Sequence, residues 1–80
     1  MPRYHFNLHD GNDQPDADGL ELPGIVEARR CAVRLLGDVL READDSFWQA
    51  EEWRLEVTNA DGLVLFTLNV LATDSPASRR

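Results

Sequence analysis

Eighty residues, 42% of them hydrophobic, suffice for one domain with a small core and are too apolar for a disordered chain. Fifteen acidic against eight basic residues leave a net charge of −7, a field that repels phosphates and argues against a general nucleic-acid or anionic-membrane binder. A single cysteine excludes an internal disulfide and fits a reducing compartment.

Arg3 to His9 alternates. Tyr4, Phe6 and Leu8 face one way and His5, Asn7 and His9 the other, which predicts a strand with one buried face. Asp10-Gly11 ends it, and residues 12–19, NDQPDADG, form a polar, acidic loop. Leu20-Glu21-Leu22 reads as a short extended piece that can pair back onto the first strand, since the following proline biases Leu22 away from helix.

Residues 25–43 carry the one long helical pattern. At about 100° per residue, Ile25, Ala28, Ala32, Leu35, Leu36, Val39 and Ala43 share an arc that Val33 and Leu40 widen. Pro23 tolerates the helix start, Gly24 serves as N-cap, and Glu27 suits the positive helix end. Gly37 falls mid-helix on the wet side, and Arg29, near the apolar arc, is placed to snorkel. Cys31 sits at the polar boundary as a small packing residue.

Asp44-Asp45 breaks the helix. Ser46 with Gln49 matches a capping box, predicting one helical turn from which Phe47 or Trp48 plugs the core. Residues 53–58 and 63–71 are two strands joined at Asn59-Ala60-Asp61-Gly62. A three-residue loop with a glycine bulge would pair Val57 with Leu65. A four-residue loop with Gly62 left-handed pairs Val57 with Val64, Leu55 with Phe66 and Trp53 with Leu68. The second keeps every strong apolar residue on one face and is preferred. The whole predicts an α+β domain over residues 1–72, a small antiparallel sheet of three to four strands with one amphipathic helix on one face. Residues 73–80 read as a flexible tail.

MPRYHF with Asp10-Gly11, Gly19-Leu20-Glu21-Leu22-Pro23, and Trp53 to Thr58 with Asp61-Gly62 together resemble a family of small bacterial proteins known only as a domain of unknown function. Its members open M-P-R-Y-F-F, pass through G-x-E-L-P into an Ala/Arg-rich helix and close on W-R-L-E-V-T-x-x-D-G. This chain departs at His5, where an aromatic is usual, and at Gly24, where an acid is common. The resemblance implies the fold and a soluble bacterial origin, and carries no activity.

The residues that could bear chemistry are few. Across residues 10–21 an EF-hand register beginning at Asp10 fails, because Gln14 takes the fifth place and Pro15 the sixth, where the turn demands glycine. His5 and His9 share a strand face yet stand ~13 Å apart, too far for one metal within a monomer, although a symmetric dimer could bring either beside its copy. Arg30, Arg34 and Arg41 form a row able to follow a phosphate backbone, but Glu27 and Asp38 lie at pairing distance along the helix. Ser46, Ser75 and Ser78 lie in a cap and a tail, and a one-helix sheet of this size leaves little room for a pocket of ~300 Å³, so neither enzyme nor cofactor is expected.

What remains is association. His5, Asn7, His9, Arg54, Glu56, Thr58, Leu63, Leu65, Thr67 and Asn69 line the uncovered sheet face, and edge strands offer unpaired N–H and C=O groups. The expected function is a small interaction or regulatory domain that self-associates or binds a partner protein. A nucleic-acid or toxin-antitoxin-like accessory role through the arginine row comes second, and weak metal binding by the acidic loop third. No stretch approaches ~18 consecutive apolar residues, and MPRYHFNLHD carries no signal-like run, so a cytoplasmic protein without membrane contact is expected.

Overall fold

Apolar residues at every second position of 4–8 and 53–57 require a common covered face, and in the computed structural model these stretches are neighbouring strands of one antiparallel sheet. The structure describes residues 1–43, 45–50 and 52–79; Asp44 of the expected helix break, Glu51 of the FWQAEE segment and Arg80 of the tail lie outside them. The strands are β1 (Arg3–His9), β2 (Asp13–Gln14), β3 (Leu20–Glu21), β4 (Glu52–Thr58) and β5 (Val64–Leu71). β1 lies beside β4 and β4 beside β5, while β2 and β3 both pair with the other side of β1. The class is α+β as expected, with five strands rather than three or four. The additional one is β2, within the stretch expected to be loop: Asp10 Oδ1 accepts the Asn12 N–H at 3.3 Å, and the chain folds back so that Asp13 faces His9 and Gln14 faces Leu8. Leu20-Glu21 pairs with Tyr4 and Arg3 as its extended pattern suggested.

Helix α1 (Ile25–Ala43) begins where Gly24 accepts the Ala28 N–H at 3.1 Å. Ala28 and Ala32 have no exposed surface and pack with Leu36 against Tyr4, Phe6, Leu55 and Val57. Two alanines at the contact let the helix approach the sheet closely. The covered stripe is narrower than the apolar arc, because a cylinder resting on a sheet touches it along a line. Ile25 and Leu35 therefore flank the contact, and Val33 is 62% exposed.

Helix α2 (Ser46–Ala50) forms without the expected capping box. The Ser46 hydroxyl turns back to donate to the Ala43 carbonyl, satisfying the end of α1 instead. Phe47, rather than Trp48, turns inward, onto the buried Trp53 rather than into the main core cluster. It meets Trp53 edge-to-face at 5.3 Å, whereas Trp48 stays more than half exposed.

The hairpin departs from the expected register. Val57 faces Phe66, Leu55 faces Leu68 and Trp53 faces Val70, two residues beyond the four-residue-loop pairing. Asn59 causes the difference. Its side-chain oxygen accepts the Asp61 and Leu63 N–H groups at 2.9 and 3.0 Å, holding a five-residue loop in which Gly62 takes φ 86°. Thr58 then faces Val64, and a bulge on β5 skips Leu65 before Phe66 meets Val57. The two-residue displacement keeps Phe66 and Leu68 on the covered face, but Val64 shares Thr58's outer face and is 47% exposed instead of lying beneath the helix. In the segment expected to be a flexible tail, Pro76–Arg79 forms a 3₁₀ turn capped by Ser75, whose Oγ accepts the Ala77 N–H at 3.2 Å.

Candidate functional site

The two long edges of the sheet are treated oppositely by the sequence. Along β1, β2 covers one end and β3 the other, and between them Pro15 has no N–H with which to continue a ladder. Asp16 closes that gap with its side chain. One carboxylate oxygen accepts the Phe6 N–H at 3.2 Å and the other the Gly19 N–H at 3.1 Å. Its own N–H donates to Asn7 Oδ1 at 2.8 Å, and its carbonyl accepts from His5 Nδ1 at 2.7 Å. Burial pushes the Asp16 carboxyl up, but the N–H of Gly19, the N–H of Phe6, the His5 charge and the N–H of Asp18 outweigh it. The group is held below its ordinary value of 3.8. Gly19 passes so close to β1 that a Cβ there would lie 2.9 Å from Arg3 Cγ, His5 Cε1 and the Tyr4 carbonyl.

β5 is the other long edge, with β4 as its neighbour in the sheet. Its eight residues, VLFTLNVL, include no charged residue and no proline, the usual devices that keep an edge from pairing. Apolar side chains border it: Leu63 and Leu71 are 63% and 70% exposed, and Val64 and Leu65 also stand open.

The outer sheet face grades between these edges. His5 and Asn7 are committed to Asp16. His9 Nδ1 donates to Asp13 Oδ1 at 2.6 Å, and its Nε2 stands 3.9 Å from Glu56, which also meets Arg54 Nε at 3.5 Å. The two histidines are therefore held by separate partners rather than standing free on an open strand. Nearer β5 the face turns neutral, with Thr67 beside Glu56 and Asn69 beside Arg54. Of the residues the sequence marked as a partner face, Leu63, Leu65 and Thr67 border the open edge. His5 and Asn7, around Asp16, and His9 and Arg54, around Glu56, form two polar clusters away from it.

Most acidic residues of 10–21 are similarly engaged. Asp10 holds Asn12 and Gln14, Asp13 holds His9, and Glu21 pairs with Arg3 at 3.3 Å. Among the described residues, no three His, Cys, Asp or Glu side chains gather where a metal ion could be held. On α1, Arg41 pairs with Asp38 at 3.3 Å, while Arg30 and Arg34 join Arg29 around a shallow hollow beside Val33.

A hollow between α1 and residues 14–20 was not legible in the sequence. Its volume of about 530 Å³ exceeds the ~300 Å³ thought too large for this domain, and it is lined mainly by Phe6, Leu8, Cys31, Leu35, Leu36 and Val39. It forms because the covering stretch stays at the β1 edge and does not wrap over the helix flank. Its walls present hydrocarbon, the Cys31 thiol, Gln14 and the already engaged Asp16, and among the described residues they assemble no nucleophile–base pair. No described helix is long and apolar enough to cross a membrane.

No curated protein and no solved structure matches the chain. A family profile does, over residues 3–72, from the first residue of β1 to just past the end of β5. By that match, which spans both sheet edges and the helix over them, the chain belongs to the family described as a domain of unknown function, DUF6894.

Proposed function

We propose that this chain is a small, non-catalytic protein-interaction domain that associates through the β5 edge and its apolar border, in the reducing surroundings of the cytoplasm. The supporting observation is the unequal treatment of the two edges. Residues 13–21, with Asp16 among them, cap β1, while an uncharged eight-residue strand bordered by Leu63, Val64, Leu65 and Leu71 stays uncapped among the described residues. Amide hydrogen exchange followed by NMR tests the reading, at a dilution where sedimentation finds single chains. Alternate β5 amides should exchange at least a hundredfold faster than those of β4. A β5 fully protected in the isolated chain would overturn it.

Arg29, Arg30 and Arg34 around one hollow supply the support for a second reading, contact with nucleic acid or an accessory role of toxin-antitoxin type. The net charge of −7 weighs against it. Mixed DNA and RNA at low salt should pass a gel unretarded if the first reading is right.

A further inference from the structure

We infer that the strand received by β5 is β5 of a second copy, antiparallel about a two-fold axis through Leu68. This inference rests on the open-edge reading and names the occupant. The argument is self-complementarity, which an isologous contact requires of its own sequence. With Leu68 opposite its copy, Phe66 falls opposite Val70 on the covered face. On the outer face Thr67 falls opposite Asn69, and Leu65 opposite Leu71. Every apolar side chain thus meets an apolar one, and the two hydrogen-bonding residues meet each other. Centring on Thr67 instead would set Leu65 against Asn69, a poorer match.

Charge points the same way. Two copies each carrying −7 repel over most of their surfaces, yet β5 itself brings no charge to the contact. The partly covered Phe66, Leu68 and Val70 would gain the shelter that the narrow stripe of α1 leaves incomplete. An edge of eight residues is ~27 Å long, and faces ~10 Å deep on each side bury roughly 500 Å² per copy. That falls at the low end for specific interfaces and fits a reversible, micromolar dimer. Because the β1 edges are capped, the joined sheet ends there and the assembly stops at two.

The test is sedimentation equilibrium of the full chain from 1 to 200 µM, with two double variants. Both carry Leu71→Arg, which stands beside Glu52 on β4, so they differ only at residue 65. Leu65→Arg with Leu71→Arg sets like charges together across the axis and should weaken the dimer at least tenfold. Leu65→Glu with Leu71→Arg sets opposite charges together and should associate at least fivefold more tightly than the first. Thermal melts at 1 µM confirm that both fold. A wild-type dimer with this order of variants supports the pairing, and equal behaviour of the two variants overturns the register. A wild-type monomer at 200 µM overturns the dimer but leaves the open edge standing if alternate β5 amides exchange fast. If those amides are protected, both readings fall.

Discussion

Replacing Asp16 with alanine should unseal the β1 edge. The carboxylate accepts the backbone N–H groups of Phe6 and Gly19. Hydrogen bonds to a charged acceptor contribute about 1.5–3 kcal/mol each when buried. Asp16 is half exposed, so water recovers much of that, and a total near 2 kcal/mol is the reasonable expectation. For a domain of this size it corresponds to a fall in melting temperature of about 8–16 °C at pH 7. Asp16→Asn keeps one acceptor oxygen and should lose about half as much. The pH dependence follows from the depressed carboxyl. Its stabilisation is complete above the ordinary value of 3.8 and drains away as pH falls through the lower folded value. The gap between wild type and Asp16→Asn, read by circular dichroism melts, should therefore narrow below pH 4. With both edges open, Asp16→Ala should also form open-ended assemblies where wild type stops at a small species. A melting temperature within 3 °C of wild type, with the same gap at pH 3 and pH 7, would refute the role assigned to this carboxylate.

Three further substitutions examine the packing. Leu55 is 1% exposed between the sheet and α1, and Leu55→Ala should cost about 2–5 kcal/mol, read from denaturant midpoints at an unchanged slope. Gly37→Ala should raise stability by about 1 kcal/mol, since a Cβ there meets nothing within 4 Å and the helix gains a better former. Gly19→Ala should lose about 2–3 kcal/mol, because its φ of 72° disfavours a side chain and the new Cβ would press on the Tyr4 carbonyl at 2.9 Å. Thermal melts of this pair should move in opposite directions.

Periodicity alone determined β1, β4 and α1 and their buried faces. Tyr4, Phe6, Leu55 and Val57 alternate at period two, and Ala28, Ala32 and Leu36 recur at helical spacing, so each names its covered side without reference to the rest of the chain. The hairpin register was not legible in the same way. Pairings two residues apart leave the same side chains inside, and the choice fell to Asn59, whose side chain widens the loop, and to the bulge at Leu65. Placing β1 beside β4 likewise needed the folded chain, since an apolar face says that a strand is covered but not which strand lies next to it. The candidate site was legible only as a list of residues with exposed backbone nearby. Which edge is capped depends on Asp16 meeting Phe6 and Gly19, contacts made across a turn with partners up to ten residues away, and no local pattern encodes them. Side-chain patterns are local and the sequence displays them, whereas the neighbours of backbone N–H and C=O groups are settled only when the chain closes on itself.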